Sequence, residues 1–169
     1  MTVPRGRDGA SAGARQARRF NPNHVVIADE TRYDMVREAL KNLPIKVYAG
    51  EKAIAEVVEM PSINIVLTAL VGFSGLVPTI RAIKAGKHIA LANKETLVVA
   101  GDIITRLAAE RKVAILPVDS EHSAVFQCLA GEFHNKIEKI ILTASGGPFL
   151  GKTEKFLESV TPEEALKHP

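Results

Sequence analysis

Apolar positions along this chain follow two rhythms. Short runs rich in β-branched residues occupy His24–Ala28, Ile45–Tyr48, Ile63–Thr68, His88–Ala92, Val113–Pro117 and Ile137–Thr143. Between them, Thr31–Lys41, Glu51–Glu59, Gly75–Ala85, Lys94–Arg111 and Glu121–Leu129 place apolar residues at helical spacing. Strands alternating with helices of this length predict βαβ units around a parallel sheet, an α/β fold. Ile63–Thr68 is apolar at nearly every position, which predicts helices on both faces of the sheet. No internal repeat interrupts the alternation. The last helical signal is Thr161-Pro162-Glu163-Glu164, a cap residue followed by proline and acids.

The first 19 residues follow neither rhythm. Rich in Gly, Ala, Ser and Arg, they predict a disordered basic arm. Their charge changes how the whole composition reads. The chain has 169 residues and a net charge of +3. Five arginines against Asp8 give residues 1–19 a charge of +4, while the remaining residues carry 17 basic and 18 acidic groups and come to −1. The basic character therefore belongs to the arm and not to the fold. With no tryptophan and few aromatics, stacking platforms for nucleic acid are scarce, and no nucleic-acid partner is expected. No run reaches the roughly 18 apolar residues of a membrane helix, so no membrane partner is expected either. One cysteine, Cys128, excludes an internal disulfide framework. The expected compartment is the cytoplasm. A plastid is the alternative if the Arg- and Ser-containing start is a transit peptide.

In an open parallel sheet, ligands bind beyond the carboxyl ends of the strands. Three segments just past apolar runs carry chemistry. The first is Ala92-Asn93-Lys94-Glu95-Thr96. Asn93 offers a donor and an acceptor, Lys94 a point charge, and Glu95 an acceptor for a ribose or amide. The same residues also suit simple helix capping. The second is Pro117-Val118-Asp119-Ser120-Glu121-His122-Ser123. Its two carboxylates, one residue apart, can face a hard divalent cation, and Ser120 between them can hydrogen-bond a hydroxyl. His122 suits a structural place better than a ligand's. Here too a capped helix is the alternative. The third is Thr143-Ala144-Ser145-Gly146-Gly147-Pro148-Phe149, where paired glycines admit a close ligand and Ser145 can meet a phosphate, or where the chain simply turns.

A competing motif overlaps the third segment. Gly146–Thr153 satisfies the phosphate-loop pattern G-x-x-x-x-G-K-[ST] and follows an apolar run. It offers a P-loop nucleotide-binding protein as an alternative, although Pro148 removes one of the N–H groups such a cradle uses. Another Rossmann-like dehydrogenase is the second alternative, since Ala85-Gly86-Lys87-His88 before a strand recurs in dinucleotide-dependent families.

Taken in order, Leu91–Val98, Leu116–Ala124 and Leu142–Phe149 closely resemble the 1-deoxy-D-xylulose 5-phosphate reductoisomerase family, over about Gln16 to Pro169. The resemblance implies an incomplete Rossmann-like parallel sheet followed by the start of an α/β catalytic domain. It implies a partial NADPH-binding domain over 20–117 and a metal and substrate domain beginning at 118 and running to 169. It implies an enzyme that rearranges 1-deoxy-D-xylulose 5-phosphate and reduces the product with NADPH to 2-C-methyl-D-erythritol 4-phosphate, in non-mevalonate isoprenoid synthesis. Asn93 and Glu95 would contact NADPH. Asp119 and Glu121 would ligate Mg²⁺ or Mn²⁺. Lys94, Ser120, Glu121 and Ser145 would bind the sugar phosphate, Lys94 and Glu121 taking part in catalysis. A homodimer is implied as well.

The chain departs from the family pattern in one motif. The family's Gly-x-Thr-Gly-x-x-Gly loop, which cradles the dinucleotide pyrophosphate, is not in this sequence. A third carboxylate ligand and a lid are also expected to lie beyond it. The expectation is therefore a fragment, inactive by itself, with an open sheet edge prone to association.

Overall fold

The computed structural model describes residues 2–3, 7–141 and 146–167. They divide into two compact units, Met1–Asp119 and Ser120–Pro169.

In the first unit, strands and helices alternate as the apolar rhythm predicts. Strand β1 (Thr2–Val3) leads to helix α1 (Arg7–Phe20), β2 (His24–Ile27), α2 (Tyr33–Leu40), β3 (Lys46–Ala49) and α3 (Gly50–Val57). Then come β4 (Ile65–Thr68), a 3-10 turn (Gly72–Gly75), α4 (Leu76–Lys84), β5 (His88–Leu91), α5 (Glu95–Arg111) and β6 (Ile115–Pro117). All strand pairs are parallel, as helical crossovers require. Local chemistry sets several junctions. Asp29 accepts the Thr31 N–H at 3.1 Å and caps the turn into α2. Gly50, at φ +89°, makes the bend from β3 into α3 that a side chain would strain.

The strands form two parallel halves, separate three-stranded sheets ordered β1-β2-β3 and β4-β5-β6. Each half has its own core. Val25, Ile27, Val36 and Leu40 close with Ala10 and Ala17 over the first half. Ile83, Ile89, Leu91 and Ile104 close with Leu76, Ala82 and Ala108 over the second.

Three expectations need correction. First, the described part of the basic arm is helical. Ala10, Ala14 and Ala17 recur at i, i+4 and i+7 and are buried, and Arg18 reaches across to the Ala39 carbonyl at 2.6 Å. Alanine side chains allow the close approach of α1 to its neighbours that larger residues would block. Arg15, Arg18 and Arg19 stay in solvent on the other face. Second, Ile137–Ile141 is not a strand. Ile137, Ile140 and Ile141 are exposed, and a strand without a neighbour to satisfy its backbone gains nothing from β-branched composition. Third, β4 is not covered on both faces, since Ile65 and Leu67 stand 55% and 61% exposed.

The second unit, among its described residues, consists of helices α6 (Ser120–Leu129), α7 (Glu154–Leu157) and α8 (Pro162–Ala165). Thr161 and Glu164 form a reciprocal capping box at the start of α8, as their spacing predicts. No helix among the described residues is long and apolar enough to cross a membrane.

Candidate functional site

The carboxyl ends of β4, β5 and β6 are laced together by backbone hydrogen bonds. Thr68, the last residue of β4, accepts N–H groups from Ala92 at 3.0 Å and Asn93 at 2.9 Å. Leu91, the last residue of β5, accepts from Val118 at 2.9 Å and Asp119 at 3.4 Å. Asn93 and Asp119 therefore leave adjacent strands at the same end of the sheet, the end at which open α/β sheets bind their ligands.

Asn93 is buried, while Lys94 and Glu95 beside it are exposed. The Asn93 amide donates to the Gly72 carbonyl at 3.2 Å and to Glu95 Oε2 at 2.7 Å, and accepts the Thr96 hydroxyl. Lys94 occupies the N-cap of α5 without a side-chain cap bond, so capping does not account for its choice. Glu95 opens the helix, where a carboxylate complements the macrodipole. Asp119 is half-buried.

In the second unit, Ser120 and Glu121 begin α6, and the Ser120 hydroxyl donates to Glu121 Oε2 at 3.1 Å. His122 is exposed on the same first turn. Ser145 lies outside the described residues. Among the described residues no three His, Cys, Asp or Glu side chains gather as a metal site would need. Two carboxylates, Asp119 and Glu121, are the hard-oxygen donors this chain brings to one stretch of sequence.

The phosphate-loop alternative finds no support. A phosphate loop runs from a strand into a helix long enough to present its N-terminus. Here Ile137–Ile141 is not a strand, and α7 has 4 residues. Thr153 caps α7 through the Phe156 N–H at 3.3 Å, and the Lys152 ammonium lies over the Phe156 ring at 5.3 Å. Two surface hollows, of about 280 and 430 Å³, flank α2 and α5, and neither is lined by a residue selected from the sequence.

The turn after β4 is not among the segments that stand out in the sequence. Gly72, Gly75 and Thr96 enclose the Asn93 amide, and Thr79 donates its hydroxyl to the Gly75 carbonyl at 2.7 Å. The available signal was a pair of glycines three apart, just past a strand and before a helix.

Parallel strands, helical crossovers and polar residues at the strand ends define a Rossmann-like α/β protein. Residues 6–101 match the sequence profile of 1-deoxy-D-xylulose 5-phosphate reductoisomerase, and residues 115–169 match that of its C-terminal domain. The chain belongs to the 1-deoxy-D-xylulose 5-phosphate reductoisomerase family. It is 62% identical over 154 residues to the reductoisomerase of Bacteroides fragilis, covering 91% of this chain and 40% of the relative. It is 60% identical over 155 residues to that of Porphyromonas gingivalis, covering 92% and 40%. The reductoisomerase of Zymomonas mobilis in complex with NADPH superimposes with a TM-score of 0.78 at 38% identity, over 100% of this chain and 44% of that one. A reductoisomerase in complex with NADPH, fosmidomycin and magnesium gives 0.76 at 32% identity, over 99% and 44%. The chain thus spans about 40% of the length of the curated relatives it matches.

Proposed function

We propose that this chain supplies part of the cofactor-binding and metal-binding machinery of a 1-deoxy-D-xylulose 5-phosphate reductoisomerase. The reaction is the NADPH-dependent isomerisation and reduction of that sugar phosphate to 2-C-methyl-D-erythritol 4-phosphate. One observation carries the reading: Asn93-Lys94-Glu95 and Asp119 emerge from adjacent parallel strands at the ligand-binding end of the sheet. The relatives in complex with NADPH and magnesium support the cofactor assignments.

In this reading each residue has a task. The exposed Glu95 carboxylate accepts hydrogen bonds from the dinucleotide, beside Asn93. Lys94 offers its ammonium to a substrate oxygen and offsets charge that develops there. Asp119 and Glu121 ligate Mg²⁺ or Mn²⁺, and their hard oxygens fit such a cation. Bound there, the cation supplies Lewis-acid polarisation and a template for the substrate's carbonyl and hydroxyl oxygens. Ser120 hydrogen-bonds a substrate hydroxyl, and Ser145 meets the phosphate. NADPH, when bound, would supply the hydride for the aldehyde that carbon–carbon rearrangement leaves, and these residues would hold the reacting atoms in register. A homodimer and a cytoplasmic setting belong to the same proposal. Light scattering on the purified chain tests the first.

The test is NADPH oxidation with the sugar phosphate and Mn²⁺, followed by the loss of reduced-nicotinamide absorbance. Lacking the Gly-x-Thr-Gly-x-x-Gly loop, the 169-residue chain is expected to give no turnover alone. Substituting Asp119→Ala in a complete relative carrying this segment is expected to abolish turnover. Full activity in that variant would sink the metal assignment.

A further inference from the structure

Five polar residues are buried among the described residues, and three of them, Thr79, Asn93 and Thr96, meet at one turn. The turn is Gly72–Gly75, between β4 and α4. The Asn93 amide commits both Nδ2 hydrogens inside the protein, one to the Gly72 carbonyl and one to Glu95 Oε2, while Oδ1 accepts from Thr96. Its main chain is committed too, with N–H to Thr68 and the carbonyl accepting Thr96 N–H at 3.2 Å. This group is thus tied to β4, to the turn and to α5 together. What lets it lie there is the bare backbone of Gly75. A Cβ on Gly75 would stand 3.1 Å from Asn93 Cγ, nearer still to Oδ1, and 3.5 Å from Thr96 Oγ1. The backbone at Gly75 has φ −79°, which any residue adopts, so the need for glycine is one of space alone.

We propose that Gly75 is a positioning residue for the cofactor ledge. It keeps open the seat on which the Asn93 amide lies, and through that amide it sets the Glu95 carboxylate and the first turn of α5. The Asn93–Glu95 bond is charge-assisted, so its direction governs where the carboxylate points. An alanine at position 75 lifts the amide, releases Glu95 and removes the acceptor of the buried Thr96 hydroxyl. The inference rests on the reading that Asn93 and Glu95 face the dinucleotide, and its test separates the two.

Four proteins are compared: the parent chain, Gly75→Ala, Asn93→Ala and the double variant. NADPH affinity is read by calorimetric titration, and the amide resonances of Glu95 and Thr96 by NMR without ligand. Gly75→Ala is expected to weaken NADPH binding on the order of tenfold or more, the scale of one lost bond to a charged group. It shifts the Glu95 and Thr96 resonances, and it does neither further once Asn93 is already alanine. Thr96→Val, which adds no bulk at the turn, reproduces part of the loss even if Gly75→Ala folds poorly. Gly101→Ala, whose added Cβ meets only Leu97 at 4.0 Å, leaves affinity unchanged. Additive effects of positions 75 and 93, or unshifted Glu95 resonances in Gly75→Ala, overturn the proposal. A parent chain that binds no NADPH overturns the cofactor reading for this chain, and the resonances alone then decide whether Gly75 sets Glu95.

Discussion

At the scale of single residues, burial and backbone shape decide what a substitution does. Ile104 is fully buried in the core between α5 and the second half-sheet. Ile104→Ala should cost about 2–5 kcal/mol, through lost transfer energy and the cavity left behind. Urea unfolding of the two proteins measures it. Lys112 ends α5 in the left-handed region at φ 55°, ψ 38°, with its N–H on the Ala108 and Ala109 carbonyls. A side chain there costs roughly 1–2 kcal/mol, so Lys112→Gly should raise stability by about 1 kcal/mol. An unchanged or lower urea midpoint would contradict that account. The Asn93 amide shows where the sequence falls silent. Asn93, Lys94 and Glu95 stand out as polar residues after a strand. The partner that shapes their setting is Gly75, 18 positions earlier, where only folding brings a bare backbone under the amide. A nonlocal contact of that kind leaves no periodic trace.

At the scale of elements, β-branched composition and helical spacing located β2 to β6 and α2 to α6, because in these segments the local preference and the packing agree. Two failures have opposite causes. Helix α1 was hidden because its buried stripe is alanine, a weak hydrophobic signal set among Gly and Arg. Ile137–Thr143 carries a strong apolar signal for a strand, yet pairing decides strands, and its described part, 137–141, forms none. The same reasoning makes α1 testable. Ala17 is fully buried against α2 and β2, so Ala17→Asp places a carboxylate without a partner in that core. It should cost several kcal/mol, on the order of 3. Limited proteolysis should then cut within α1 well before the second half-sheet. Cleavage no faster than in the parent chain would mean that α1 contributes little to the fold.

At the scale of the whole molecule, the exposed flank of β4 governs behaviour in solution. Ile65 and Leu67 lie on one face of β4, which among the described residues pairs only with β5. Such an edge is a template for another chain. The protein should therefore self-associate as its concentration rises, and Leu67→Lys should suppress that association while the fold is kept. Light scattering across a dilution series reads the effect, and equal association by both proteins would place the sticky surface elsewhere. The lacing of the strand ends has a further consequence. Thr68 receives the chain as it leaves β5, and Leu91 receives it as it leaves β6. The step from Asn93 to Asp119 is thereby tied to the repeat of the sheet, about 4.8 Å per strand. Side chains at the rim can be exchanged without changing that interval, since the ruler is peptide backbone. Chemistry at the two places can then be tuned separately while the gap between them stays constant.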